Sequence, residues 1–238
     1  MKRRIVETPN ESIRIKGMTN LNDGRLDNVA PPLPDSNHFF SIVLGMAGGG
    51  KSSLIQSLLS DPNAYKCKFS RIYWFSPSVN TLDEKFREKL CNDRLFTSLE
   101  PLPEVIEELK SFEGDVLMIF DDMVRQIQEN SKVFMPLAFN RRHILKRGGI
   151  SLMIVSQKTR SIPLFLRSAV DSLYLVGGSL RNKRELDAVY EDYTSSFMDR
   201  DEYDMITRHI AESHKHPFMF VRVDQGKVYS KFNDIRIE

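Results

Sequence analysis

Short, almost unbroken apolar runs recur along this chain, and most are followed by a stretch whose apolar residues return every three or four positions. The runs at 38–44, 71–76, 115–120, 150–157 and 172–176 are continuous enough to predict strands buried on both faces of a parallel sheet. Amphipathic stretches at 53–59, 81–90, 103–112, 131–146, 181–193 and 199–214 predict helices, with Pro136 marking a kink or a late start in the fourth. Strand followed by helix, repeated in this way, predicts a three-layer α/β fold around a central, mostly parallel sheet. Near the end the pattern changes. Apolar runs at 218–223 and 227–232 flank Asp224-Gln225-Gly226, a turn signal, so a hairpin is expected to extend the sheet.

The first 37 residues break this rhythm. They are polar and turn-rich, close on Ala30-Pro31-Pro32-Leu33-Pro34-Asp35, and read as an arm leading into one domain over 38–238. Within the arm Ile13-Arg14-Ile15 alternates and is expected to add a short edge strand. The chain carries no internal repeat and no low-complexity tract.

Composition narrows the picture. A hydrophobic content of 41% and a charged content of 28% are those of an ordinary globular protein with a real core. A net charge of +2 is too small to announce a nucleic-acid binder, so any DNA contact has to come from local clusters. Cys67 and Cys91 make neither a metal nor a redox spacing and are expected to be core thiols in a reducing compartment. His214-Lys215-His216 has no further ligands in pattern with it and is not read as a metal site. No apolar stretch approaches a membrane span and the start lacks a secretory apolar region, so a place in the cytosol or nucleus is expected, without secretion or membrane attachment.

The chemistry begins where the first strand ends. Gly45-Met46-Ala47-Gly48-Gly49-Gly50-Lys51-Ser52 fits the phosphate-loop spacing G-x-x-x-x-G-K-[ST], and Ser53 opens the apolar helical stretch behind it. Glycines allow the tight turn that points successive N–H groups at phosphate oxygens. Lys51 brings positive charge to the β- and γ-phosphates, and the Ser52 hydroxyl is placed to hold Mg²⁺. The helix presents its positive end to the same anion. The bare pattern arises by chance in roughly one chain per hundred of this length, and here it also has a strand before it and a helix after it. ATP with Mg²⁺ is the expected ligand, held by residues 45–53.

Hydrolysis needs more than a cradle. Asp121 closes the strand at 115–120 and is placed to orient Mg²⁺ together with Ser52; Asp122, next to it, is placed to polarise an attacking water. Adjacent carboxylates at a strand end require a nearby cation. Gln157 closes the strand at 150–156 and suits a sensor that hydrogen-bonds water or the γ-phosphate. Some phosphate-loop proteins insert an extra strand between the phosphate-loop strand and the acidic one, and the strand ending in Gln157 is the candidate for that slot. All three groups then converge at the carboxyl ends of the strands, where open sheets bind ligands. An arginine from a neighbouring subunit commonly completes such a site. Arg167 is the first choice, with Arg160, Arg141 and Arg142 behind it.

This series resembles the packaging ATPases of large DNA viruses (the poxvirus type), virophages and self-synthesising transposons, within the FtsK and HerA translocase superfamily. The resemblance rests on the loop from Gly45 to Ser52, Ile119-Phe120-Asp121-Asp122, Arg142-His143 before the strand ending in Gln157, and Ile162-Pro163 with Leu166-Arg167 before the strand at 170–176. It spans roughly residues 38–180. What it implies is a P-loop ATPase acting as a ring-forming homo-oligomer that drives double-stranded DNA, without regard to sequence, into a preformed capsid. Its implied partners are capsid portal or vertex proteins, at the site of virion assembly in the host cytoplasm or nucleus. The triplet Gly48-Gly49-Gly50 departs from the usual Gly-Ser-Gly form without removing a phosphate contact. DNA would meet basic side chains lining the ring. Available clusters are Arg141-Arg142-His143 with Lys146-Arg147, and Arg181 with Lys183-Arg184. The alternatives are a helicase or partition motor of the same chemistry, a nucleotide kinase, or a nucleotide-dependent scaffold.

Overall fold

The structure, a computed structural model, describes residues 22–90, 94–213, 215–235 and 237. Its strands are β1 (Phe40–Gly45), β2 (Arg71–Phe75), β3 (Leu95–Phe96), β4 (Val116–Asp121), β5 (Ile150–Ser156), β6 (Ser172–Val176), β7 (Phe218–Arg222), β8 (Lys227–Ser230) and β9 (Asn233–Asp234). They form one nine-stranded sheet in the order β3-β2-β4-β5-β1-β6-β7-β8-β9. Every pairing from β3 across to β6 is parallel, and those joining β6, β7, β8 and β9 are antiparallel. The expected hairpin is therefore present, and it continues the sheet beyond β6.

The order answers the question posed by the acidic strand. β5 lies between β1 and β4, pairing Leu44 with Ser156 on one side and Asp121 with Val155 on the other. The strand leading to Gln157 fills the inserted slot.

The helices are α1 (Lys51–Ser60), α2 (Glu84–Leu90), α3 (Leu102–Leu109), α4 (Val124–Glu129), α5 (Ser131–Asn140), α6 (Leu164–Arg167), α7 (Lys183–Val189) and α8 (Arg200–Ser213). Two apolar cores separate them into layers, because successive strand residues point to opposite faces. On one face Phe40, Ile42 and Leu44 pack with Leu102 of α3, Ile127 of α4, Phe134 of α5 and Ile210 of α8. On the other, Phe39 and Val43 pack with Ile55 and Leu58 of α1 and Phe86 of α2. The second core also takes in Leu26 and Leu33, so residues 22–37 lie against the domain. Arg222 of β7, 6% exposed, reinforces this by donating to the Pro32 carbonyl.

Two expectations are corrected, and one helix was not foreseen. The helix expected over 131–146 ends at Asn140, because the chain turns there and Arg141 sends its guanidinium inward, donating to the Ala138 carbonyl at 2.6 Å. The amphipathic stretch Val124–Glu129, for which no element was expected, forms α4. Cys67 is exposed, in a left-handed backbone conformation (φ 57°), and is no core thiol. Cys91 and the segment Ile13-Arg14-Ile15 lie outside the described residues.

Candidate active site

The loop from Gly45 to Gly50 is built by close approach. A Cβ on Gly45 would meet Val176 Cγ2 at 2.4 Å, so only glycine lets β1 end flush against β6. Gly50 enters α1 at φ 93°, ψ 14°, a left-handed conformation that an L side chain adopts only at a cost. Between them the Met46 N–H donates to Ser179 Oγ at 3.1 Å, and the Gly49 N–H closes the turn on the Met46 carbonyl at 3.0 Å. Lys51 folds over this turn, its Nζ donating to the Gly45 carbonyl at 2.7 Å and the Met46 carbonyl at 3.0 Å.

Charge gathers at this edge of the sheet. Burial lowers the Lys51 ammonium below its ordinary value, while the fields of Asp121 and Asp122 act to raise it. Burial likewise raises the Asp121 carboxyl; the Lys51 charge pulls it back down and Asp122 pushes it further up. Lys51 is thus the positive charge whose field reaches both carboxylates, without an ion pair to either among the described residues. Asp122 sits at φ 57°, a left-handed position that aspartate tolerates better than most residues, and its N–H extends the ladder to the Val155 carbonyl at 3.2 Å. Gln157 follows Ser156, the partner of Leu44, so its backbone stands beside the start of the phosphate loop with the side chain exposed.

The structure therefore brings Lys51, Asp121, Asp122 and the base of Gln157 to one edge. Arg167 stands apart from that group. It lies on α6, away from the fields acting on Lys51 and Asp121, and its Nη1 donates to Asp192 Oδ2 at 2.7 Å. Arg160 is more exposed and pairs with Glu191 at 2.8 Å. Arg141 is committed to the opposite end of the sheet. It donates to the His38 carbonyl at 2.6 Å and to Asp171 Oδ2 at 3.0 Å, which removes it both from the arginines free to act in a neighbour's site and from the expected DNA-contact cluster.

A cavity of about 710 Å³ opens on the other side of the loop, over β6 and β7. Gly48, Ser53 and Leu54 line one wall; His216, Phe218 and Lys231 line the other. These last residues and Ser179 are the ones sequence reasoning missed. The pair Gly177-Gly178 directly after a predicted strand was the available signal, since Gly177 (φ 59°) packs against the Gly49 carbonyl. Among the described residues no cluster of three or more His, Cys, Asp or Glu forms a metal cage. Ser52 and Asp121 supply a hydroxyl and a carboxylate, hard oxygen donors of the kind that hold Mg²⁺ jointly with phosphates and water.

No family model matches the chain, and no curated protein matches it. Solved structures do. The genome packaging NTPase B204 from Sulfolobus turreted icosahedral virus 2, in complex with sulfate, superposes with a TM-score of 0.58 at 14% identity, over 85% of this chain and 99% of that one. B204, the DNA-packaging ATPase from Sulfolobus turreted icosahedral virus, gives 0.57 at 16% identity, over 84% and 100%. The virus 2 protein in complex with AMPPCP gives 0.57 at 13% identity, over 84% and 99%. The likeness is one of fold: this chain has the α/β P-loop NTPase fold, with a mostly parallel core and antiparallel C-terminal strands. Among the described residues no helix is long and apolar enough to cross a membrane.

Proposed function

We propose that this protein is an ATPase that moves double-stranded DNA and packages a viral or transposon genome into a preformed capsid. The observation that carries the reading is the gathering of Lys51, Asp121 and Asp122 at the end of the sheet, with the Gln157 strand inserted between the phosphate-loop strand and the acidic one. The fold it shares with viral genome-packaging NTPases supports the cargo.

The geometry divides the work along the loop. The nucleoside of ATP occupies the cavity beside Phe218 and His216, where an aromatic face and a ring are available for stacking. The triphosphate runs over the backbone N–H groups of Ala47, Gly48 and residues 50–52, since those of Met46 and Gly49 are already donated. Lys51 exchanges its carbonyl partners for phosphate oxygens, which offer a full negative charge. Asp122 accepts a proton from the attacking water, and the Gln157 amide hydrogen-bonds that water or a γ-phosphate oxygen. Mg²⁺, held by Ser52 and Asp121, would supply charge neutralisation at the phosphates. The subunits form a ring, and an arginine of the neighbour completes the site; for Arg167 to act there it must leave Asp192.

Turnover of ATP by the purified chain, with and without double-stranded DNA, tests the reading. DNA is expected to accelerate it, and Lys51→Ala and Asp122→Asn are each expected to slow it about 10²–10³-fold. Hydrolysis indifferent to both substitutions refutes the site; hydrolysis indifferent to DNA refutes the motor.

A further inference from the structure

Glu185 stands at the third position of α7, behind the N-cap Asn182, whose side chain accepts the Arg184 N–H at 3.1 Å. A glutamate there ordinarily bends back to the N-cap N–H and closes a capping box. In this protein that N–H is already taken: Asn182 N donates to the Ser179 carbonyl at 3.1 Å. The Glu185 carboxylate is released and reaches across to the turn that follows β5. One oxygen, Oε2, accepts both the Thr159 N–H at 2.8 Å and the Thr159 hydroxyl at 2.9 Å.

Thr159 is fully buried, and among the described residues Glu185 is the one acceptor of both its donors, which burial would otherwise leave unsatisfied. The rest of the turn is tied to itself and, through the exposed Arg160, to Glu191 at 2.8 Å. Ser156 Oγ donates to the Lys158 carbonyl at 3.0 Å and Ser161 Oγ donates to the same carbonyl at 2.7 Å. Gln157 hangs from this turn between Ser156 and Lys158 with no hydrogen bond of its own among the described residues. Its amide is placed only by the backbone that carries it.

The same segment grips the phosphate loop. Ser179, 1% exposed, accepts the Met46 N–H, and Gly177 packs on the Gly49 carbonyl. One continuous stretch, from Gly177 through α7, therefore touches the cradle at one end and the Gln157 turn at the other.

We propose that Glu185 is a positioning residue for hydrolysis: through Thr159 it holds the turn carrying Gln157 in register with the phosphate loop. The role rests on the ATPase reading above. Glu185 meets neither phosphate nor water, and it acts by fixing where the Gln157 amide stands when ATP fills the loop.

A double-mutant cycle on the full chain, with kcat and KM for ATP measured in the presence of double-stranded DNA, tests this. Glu185→Ala is expected to lower kcat on the order of tenfold while KM stays within about twofold, because the Ser179 grip on the loop is untouched. Glu185→Gln, which keeps an oxygen for both Thr159 donors, is expected to restore kcat to within about threefold of the parent. In a Gln157→Ala background Glu185→Ala is expected to lower kcat less than twofold further, since both act through one group. If Glu185→Ala fails to fold, Thr159→Val, which removes only the hydroxyl donor, takes its place in the cycle. An unchanged kcat in Glu185→Ala, or equal losses in the two backgrounds, overturns the role while leaving the ATPase reading intact. A parent protein without turnover overturns both.

Discussion

Asp121 combines stability and chemistry in opposite senses. Burial holds its folded carboxyl above the ordinary value of 3.8, so over that window the native state binds its proton more readily than the unfolded chain does. Stability contributed by the protonated form is present at low pH and is lost as pH rises through the raised folded value. At neutral pH the carboxylate is thus a net cost to the fold, one that the proposed role in holding Mg²⁺ would account for. Asp121→Asn is neutral at every pH and escapes that cost. Without nucleotide or Mg²⁺ its Tm is expected to exceed that of the parent at pH 7, the gap closing as pH falls toward about 4. Its Mg²⁺-dependent hydrolysis is expected to vanish. Thermal scans at a series of pH values decide the matter: a lower Tm at pH 7 would mean that attraction to Lys51 outweighs burial.

The elements at the far end of the sheet are joined by Arg141, with a side chain 12% exposed. Its guanidinium spans the His38 carbonyl before β1, the Ala138 carbonyl in α5 and the Asp171 carboxylate before β6; Asp171 in turn accepts the Phe40 N–H at 2.7 Å. Arg141→Ala is expected to cost about 3 kcal/mol, since it strands a partly buried carboxylate and two carbonyls. At about 2–4 °C per kcal/mol this lowers Tm by roughly 10 °C. KM for ATP is expected to hold, because the cradle is at the other end of β1. Periodicity could not show this. In the sequence Arg141-Arg142-His143 is a basic step like any other, and only the arrival of Asp171, far along the chain, turns one arginine inward. The helix end at Asn140 was hidden for the same reason. By contrast the strands were plain, because strands buried on both faces leave unbroken apolar runs. The phosphate loop was plain because its glycines are demanded by local geometry.

At the scale of the whole molecule, sheet order places the chemistry, and the slot between β1 and β4 was readable because Gln157 ends an apolar run as Asp121 does. What stayed hidden was which cations remain free. Lys146 is bound to Glu113 at 2.7 Å, Arg142 lies 3.5 Å from Asp23, and Arg160 pairs with Glu191. Exposed Lys158, Lys183 and Arg184 have no side-chain partner among the described residues, and Lys158 and Arg184 line one cleft beside the Gln157 turn. For the proposed DNA motor, unspent charges of this kind are what would meet phosphates in a chain whose net charge is only +2. Each phosphate neutralised adds about 0.9 to the slope of log K against log salt, without regard to sequence. Replacing Lys158, Lys183 and Arg184 together with alanine is therefore expected to weaken double-stranded DNA binding equally for unrelated sequences, and to reduce the salt slope by about 1 for each phosphate no longer neutralised. Lys146→Ala, which removes a charge already neutralised by Glu113, is expected to leave the slope where it was. Titrations of one labelled duplex at several salt concentrations distinguish the two; a slope that falls with Lys146→Ala and not with the triple variant would move the DNA to the opposite end of the sheet's strands.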